Sequence, residues 1–259
     1  MMILKSSWEI DLMRKSSRIV AEALERLARL IEPGMTTLEL DRFAEGYILR
    51  RGGKPAFKGY RGYPYTLCAS VNEQVVHAFP SVRRLEEGDI VSLDLGVMVD
   101  GYYGDAAMTV PVGEVSGEAR RLIAATRSAL TRAIEAARPG NHLSDISHAV
   151  QSAIEAQGFS VVRLFVGHGI GRSLHEEPQI PNFGPPGQGP VLKPGLVLAI
   201  EPMANVGGSD VMILNDRWTA VTCDRSLSAH FEHTVALTGD GVEVLTRLTE
   251  DGSPEDAWH

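Results

Sequence analysis

The spacing of apolar residues predicts two pairs of helices, each followed by strands. Residues 8–31 and 116–138 carry apolar side chains at helical spacing, and each run ends at a Pro-Gly pair. A shorter helical pattern follows each pair, over about 37–51 and 143–157, and ends at a glycine. The repeated order of long helix, short helix and strands indicates an internal duplication.

We adopt this interpretation, although a Pro-Gly pair after a helix is common in unrelated proteins. It divides a single domain, residues 1–259, into halves of about 1–112 and 113–250. The polar tail, residues 251–259, is expected to be frayed. No segment has the composition of a linker between independent domains.

Short apolar runs bounded by turn residues predict the strands. Because these strands alternate with helix pairs, the pattern indicates an α+β fold, with antiparallel strands and helices packed on one face. The segment 54–66, rich in Gly, Pro and Tyr, is predicted to be a structured loop. The predicted strands are 67–71, 75–77, 195–200, 211–213, 218–222, 229–237 and 242–245.

The segment 89–110 is predicted to form the central hairpin. The Asp-Gly pair at 100–101 lies between two apolar runs and favours a two-residue turn, because glycine accepts the positive φ that this turn needs. Counting outward from the turn, Gly96 faces Asp105, so Asp94 shares a face with Asp105. The two carboxylates are then diagonal neighbours, roughly 7–8 Å apart at Cα.

The opposite face of this hairpin is apolar and is predicted to be core: Val91, Leu93, Leu95 and Val97. Two like charges on one face destabilise a sheet unless a cation lies between them. The alternative is a solvated face with two unrelated aspartates, and a β-bulge would also change the count. The hairpin alone does not decide between them.

Composition and charge restrict the class of protein. The chain is 44% hydrophobic and 22% charged with a net charge of −8, which argues against nucleic acid or an anionic membrane as the main partner. Its two cysteines indicate no disulfide framework and fit a reducing compartment. Since no uncharged apolar run reaches ~18 residues and the N-terminal segment is predicted to be helical, we expect a cytoplasmic protein.

Five further polar residues stand where the local pattern favours other types. Glu201 ends an apolar strand, Glu232 lies in the alternating stretch SAHFEHTV, and His168 lies between two glycines. His77 follows a short strand, and His175 heads an acidic stretch. Taken singly, each has an ordinary structural interpretation, such as a solvated strand end, a surface residue or a turn cap.

Taken together, these residues predict a metal centre. Two aspartates, two glutamates and one histidine form an oxygen-rich set, which suits a pair of divalent ions such as Mn, Fe, Co or Zn better than a structural zinc. Two such ions ~3.5–4 Å apart activate water for hydrolysis. His77 and His175 would then bind substrate or transfer a proton. The predicted ligands are Asp94, Asp105, His168, Glu201 and Glu232.

Five motifs in order along the chain resemble those of the methionine aminopeptidases, in their short bacterial type I form. The resemblance implies the pita-bread fold, in which two pseudo-symmetric halves form a curved antiparallel sheet covered by helices. It also implies removal of the initiator methionine from nascent chains when the second residue is small. The motifs are CASVNEQVVHAFP, LDLGVMVDGYYGDAAMT, GHGIGRSLHEEPQI, AIEPM and SLSAHFEHTV.

The resemblance also implies roles. Asp94 would bind the first metal, Asp105 and Glu232 would bridge both, and His168 and Glu201 would complete the second. A metal-bound hydroxide would attack the carbonyl after the methionine, with Glu201 as proton acceptor.

His175 would contact the scissile peptide, and His77 would lie beside the substrate and assist proton transfer. The positions implied to line the methionine side-chain pocket are Tyr60, Tyr63, Cys68, Leu174 and Trp218. Two residues depart from frequent family variants: Arg61 where histidine is common, and Leu174 where an aromatic residue is common.

The substrate implied by the resemblance is a nascent polypeptide near the ribosome, processed by a monomer. One rival is a proline-specific aminopeptidase or dipeptidase of the same fold, which usually carries an additional N-terminal domain. The other is a pita-bread protein that binds peptides without catalysis, but such proteins lose metal ligands, whereas all five are present here.

Overall fold

The computed structural model describes residues 2–248, and the predicted frayed tail lies outside this range. The helices are α1 (Ser7–Leu30), α2 (Thr37–Arg50), α3 (Gly117–Ala136) and α4 (Leu143–Glu155), with a 3₁₀ turn at Tyr60–Gly62. The strands of the first half are β1 (Lys54–Pro55), β2 (Leu67–Val71), β3 (Gln74–Val76), β4 (Ile90–Val99) and β5 (Tyr102–Pro111). The remaining strands are β6 (Ser160–Val161), β7 (Val166–Gly169), β8 (Glu176–Pro181), β9 (Val197–Ile200), β10 (Met203–Asn205), β11 (Val211–Ile213), β12 (Ala220–Thr222), β13 (Ser228–His230), β14 (Glu232–Thr238) and β15 (Gly241–Val244).

The helices begin at capping residues. The hydroxyl of Ser6 accepts the Glu9 N–H and the Glu9 carboxylate accepts the Ser6 N–H, so two exposed donors at the start of α1 are satisfied. Thr36 and Glu39 form the same capping box at α2. These local signals explain why the predicted helix bounds lie within two residues of the observed ones.

The two Pro-Gly turns have the same geometry. Gly34 has φ 95° and Gly140 has φ 96°, a left-handed conformation that glycine adopts without a steric penalty. The N–H of Gly34 donates to the carbonyl of Leu85, and the N–H of Gly140 donates to the carbonyl of Leu192. The local repeat supports the predicted duplication, while the division of the domain into two halves stays a prediction.

The central sheet has nine strands, in the order β1-β4-β5-β14-β9-β7-β8, with β2 also beside β4 and β15 beside β14. The hairpin of β4 and β5 has the predicted register, with Gly96 opposite Asp105. Val91 and Leu95 on its helix-covered face are fully buried in the main hydrophobic core. Burial of one such side chain stabilises the fold by about 1.5–3 kcal/mol, so the polar face is fixed toward the site.

One strand prediction was wrong. The stretch 229–237 was predicted as a single strand, but the ladder breaks at Phe231. His230 ends β13 in a three-stranded sheet with β10 and β6, whereas Glu232 begins β14 in the central sheet. The alternation continues through the break, so the sequence pattern did not reveal it.

None of the helices within residues 2–248 combines the length and the apolar composition that a membrane span requires.

Gly104 fixes how closely α1 approaches the hairpin. A Cβ at Gly104 would lie 2.7 Å from the backbone nitrogen of Ser17 and 2.8 Å from its Cα, which is too close for any side chain. We expect Gly104→Ala to lower the free energy of unfolding by about 1–3 kcal/mol, because α1 must move away from the sheet. Urea unfolding measures this loss. Gly117→Ala is the control and should be neutral or slightly stabilising, because an added Cβ there would meet no atom within 4 Å outside its chain neighbours and its own helix backbone.

Candidate metal centre

The sheet register brings the carboxylates together on one face. Asp94 on β4 is opposite Ala107 on β5, and Ala107 is opposite Glu232 on β14. Asp105 lies two residues before Ala107 and therefore on the same face. The methyl group of Ala107 fills little space, so the three carboxylates border one another.

The second half of the chain supplies the remaining two predicted ligands. His168 on β7 is opposite Ala199 on β9, and Ala199 is opposite Thr234 on β14. Glu201 follows Ala199 by two residues and shares its face. Small residues again lie between the polar ones, so His168 and Glu201 extend over the sheet toward the carboxylates of the hairpin.

Every residue predicted for the site lines one cavity of about 150 Å³. Its volume is below the ~300 Å³ lower end for pockets that hold drug-sized ligands, which suits a single side chain and a short stretch of backbone. Phe57 and Arg61 also line it, and sequence reasoning had assigned no role to Phe57. The predicted lining residues are Tyr60, Tyr63, Cys68, His77, Asp94, Asp105, His168, Leu174, His175, Glu201, Trp218 and Glu232.

Three of the predicted ligands form the tightest part of the cluster. One ligand atom each from Asp105, His168 and Glu232 lie within 4.8 Å of one another. Buried carboxylate oxygens of Asp94, Asp105 and Glu232 have no hydrogen-bond partner among the described residues. Buried polar atoms normally have partners, so a divalent cation fits this set of oxygens and one imidazole.

Without a metal, burial and mutual repulsion raise the pKa values of the carboxyl groups in the cluster. Burial raises the pKa of Asp105 to about 7, although the hydrogen bond that the Ala106 N–H donates to this carboxylate lowers the pKa. Burial, followed by the nearby charge of Asp105, raises the pKa of Asp94 well above its usual range. Burial, followed by the charges of Asp94 and Asp105, raises the pKa of Glu201. Burial, followed by the charges of the other carboxylates of the cluster, raises the pKa of Glu232. Positive charge at the centre would reverse this cost, as expected for a metal site.

His168 is oriented to offer one nitrogen to the cluster. Its Nδ1 lies 2.9 Å from the carbonyl oxygen of Gly169, and because a carbonyl can only accept, Nδ1 carries the proton. Nε2 is then the free acceptor, and it lies 3.6 Å from a carboxylate oxygen of Glu201. Burial lowers the pKa of His168 to about 3, which keeps the ring neutral and able to bind a metal.

His175 and His77 lie on the walls of the cavity. Nδ1 of His175 is 2.9 Å from the hydroxyl of Tyr60, and the two rings stack at 5.3 Å. Burial and the Arg61 charge lower the pKa of His175 to about 4. Burial and His175 lower the pKa of His77 to about 4. Both rings are therefore neutral at pH 7, and each can donate one hydrogen bond and accept another.

The apolar wall is built around Tyr63. Its single hydroxyl proton is shared between the carbonyl oxygens of Leu67 and Ala78, each 3.1 Å away, so the polar end of the ring is satisfied within the protein. Trp218 meets the Tyr63 ring edge-on at 5.0 Å. Cys68 is the cross-strand neighbour of Asp94, which places this wall directly beside the predicted metal ligands.

His230 is a neighbour of the site that sequence reasoning did not assign. It is 1% exposed, and its Nε2 lies 3.8 Å from a carboxylate oxygen of Glu201. The only sequence signal was the alternation of His230 with Glu232 in SAHFEHT. The strand break at Phe231 follows His230, whose imidazole lies beside Glu201.

The sequence profile of metallopeptidase family M24 matches residues 11–239. The chain belongs to this family. It is 54% identical over 248 residues to the methionine aminopeptidase of Clostridium perfringens, which covers 96% of this chain and 100% of that one. The crystal structure of methionine aminopeptidase from Thermotoga maritima superposes with a TM-score of 0.94 at 47% identity, over 96% of this chain and 100% of that one.

The prolidase of Pyrococcus furiosus is a more distant structural match. It superposes with a TM-score of 0.77 at 25% identity, over 96% of this chain and 66% of that one. These matches confirm the predicted pita-bread fold. As an M24 member with methionine aminopeptidase relatives, this protein is a metal-dependent aminopeptidase that uses a divalent cation.

Proposed function

We propose that the protein removes the N-terminal methionine from polypeptides whose second residue is small. The observation that supports this most is one small cavity in which the acidic cluster adjoins the aromatic wall of Tyr63 and Trp218. A methionine side chain on that wall would place the following peptide bond at the cluster. The high identity to methionine aminopeptidases over the whole domain supports the same assignment.

Two divalent cations would be held by the residues of the cluster. Asp94 would hold the first, Asp105 and Glu232 would bridge both, and His168 and Glu201 would complete the second. The set accepts Mn, Fe, Co or Zn. When bound, such ions polarise the scissile carbonyl and lower the pKa of water.

The chain's own residues would orient the substrate and transfer protons. His175, held by Tyr60, would donate a hydrogen bond to the scissile peptide from its Nε2. Glu201 is the side chain proposed to accept the proton of the attacking water, since its carboxylate lies in the same cavity as the other predicted ligands and the proposed substrate wall. His77, whose ring lies against Phe165 and Trp218, would assist proton transfer to the leaving amine.

The proposed setting is the N-termini of nascent chains, near the ribosome and in the cytoplasm, with the protein acting as a monomer. Two free cysteines, Cys68 buried and Cys223 exposed, agree with a reducing compartment. The proposed unit is a single catalytic domain of residues 1–259, built from the two halves described above.

A peptide assay tests the function against its rivals. Protein supplied with Mn or Co should release methionine from Met-Ala-Ser and cleave Met-Leu-Ser at least about tenfold more slowly, because a bulky second residue meets the wall of the site. A prolidase would instead cleave dipeptides ending in proline, and a non-catalytic relative would cleave none of these peptides. Either result would overturn the proposal.

The protein's own N-terminus is a substrate that it should not process. Met2 is long, and its side chain is partly buried against the main hydrophobic core. Both its size and its packing oppose entry into the cavity, so we expect Met1 to be retained. Intact-mass measurement of the untagged protein checks this. A dominant species lacking one methionine would count against a tight second-residue pocket.

A further inference from the structure

Arg61 places a positive charge at the mouth of the cavity. It lines the cavity, its side chain is exposed, and its guanidinium carbon lies 5.3 Å from the centre of the Tyr60 ring. Tyr60 in turn stacks on His175. The guanidinium is therefore held one ring away from the residue proposed to contact the scissile peptide.

This charge is not neutralised by the protein. Within residues 2–248, no carboxylate lies within 4.0 Å of the Arg61 guanidinium, and the described contact of this group is with the Tyr60 ring. What distinguishes Arg61 is its position: an unpaired cation at the mouth of the cavity can pair with a ligand of opposite charge.

The backbone holds Arg61 in a fixed direction. Its φ of 49° lies in the left-handed region, between Gly59 and Gly62 at φ 89° and 90°. A residue with a Cβ rarely adopts this conformation, so the loop presents the side chain at some conformational cost. Stacking on Tyr60 limits the remaining freedom of the guanidinium.

From this geometry we infer that Arg61 selects substrates with an acidic side chain at the third residue. The inference rests on the proposed function. The scissile bond lies at the cluster, and an extended chain advances about 3.3–3.6 Å per residue. The second residue then passes His175, and the third emerges at the mouth, opposite Arg61. A Glu or Asp there pairs with the guanidinium, and a Lys or Arg is repelled.

Three amidated peptides that differ only in charge test this preference: Met-Ala-Glu-Ser, Met-Ala-Gln-Ser and Met-Ala-Lys-Ser. At low salt, kcat/KM should be about two- to fivefold higher for the Glu peptide than for the Gln peptide, and lower by a similar factor for the Lys peptide. At 1 M salt, where the screening length is about 3 Å, the three values should converge.

Variants identify the residue responsible. Arg61→Gln, which keeps the length of the side chain, should make the three values equal, whereas Arg61→Lys should keep the order and Arg61→Glu should reverse it. Arg50→Gln, at the exposed end of α2, is the matched control and should keep the wild-type ratios. Equal rates for the Glu and Lys peptides in the wild type, or unchanged ratios in Arg61→Gln, would overturn the inference.

Failure of this inference differs from failure of the proposed function. If the peptides are cleaved at equal rates, only the charge preference is wrong. If none is cleaved, the proposed function is wrong, and the charge preference is then decided by peptide binding, measured by isothermal titration calorimetry. Tightest binding of the Glu peptide and weakest binding of the Lys peptide would support the role of Arg61, and equal affinities would overturn it.

Discussion

Asp105→Asn should remove most of the bound metal and lower kcat/KM by at least about 10³-fold. The amide keeps the size of the side chain but removes the charge that bridges the two proposed cations, and loss of the polarising ions costs the transition state several kcal/mol. Glu232→Gln should behave alike, because Glu232 occupies the other bridging position. Metal content by elemental analysis and Met-Ala-Ser hydrolysis, measured on the same preparations, check both variants.

His175→Ala is the matched control, because it separates the proposed substrate-binding role of His175 from the metal-binding role of Asp105 and Glu232. It should retain metal near the wild-type level and lower kcat by about 10²–10³-fold, because its proposed contact is with the substrate. Loss of metal from His175→Ala as complete as that from Asp105→Asn would contradict the proposed ligand assignment. Near-normal activity of Asp105→Asn with no bound metal would contradict the whole metal mechanism.

The same Asp105→Asn variant should be more stable than the wild type when both are free of metal at pH 8. The pKa of Asp105 is raised from 3.8 to about 7 in the folded protein, so the folded state holds a proton that the unfolded chain releases. The contribution of the Asp105 carboxyl to the free energy of unfolding is therefore fully present below pH 3.8. It decreases as the pH rises from 3.8 and is lost once the pH passes about 7. The shift corresponds to on the order of 4 kcal/mol at pH 8.

Urea unfolding after chelation, at pH 4 and pH 8, measures this difference. The gain of Asp105→Asn should be near zero at pH 4 and largest at pH 8. Buried histidines with lowered pKa values, such as His168 and His230, have the opposite pH dependence, but they are present in both proteins and largely cancel in the comparison. Added Mn should stabilise the wild type much more than the variant. A stability difference that is the same at both pH values would contradict the buried-charge explanation.

Together the two results separate loss of function from loss of fold. A variant that is inactive but more stable without metal cannot be inactive because it is unfolded. The wild-type cluster is then a site at which stability is given up for metal binding.

The sequence alone was sufficient for features that depend on neighbouring residues. The Asp-Gly turn and the period of two along strands set the register of β4 and β5, so the pairing of Gly96 with Asp105 was predicted correctly. Capping residues such as Ser6 and Thr36 set the helix bounds in the same local way. The strand break at Phe231 was missed. It arises because the residues before Phe231 pair in one sheet and the residues after it pair in another.

The identity of the five candidate ligands was likewise available from residue types, motif order and family resemblance. Their assembly was not. His168 approaches Glu232 only because a single strand, β9, lies between β7 and β14, with Ala199 leaving room above the sheet. The unpaired buried oxygens, the raised carboxyl pKa values and the single guanidinium at the mouth all follow from that assembly, because burial and charge separation are properties of three-dimensional distance and not of position along the chain.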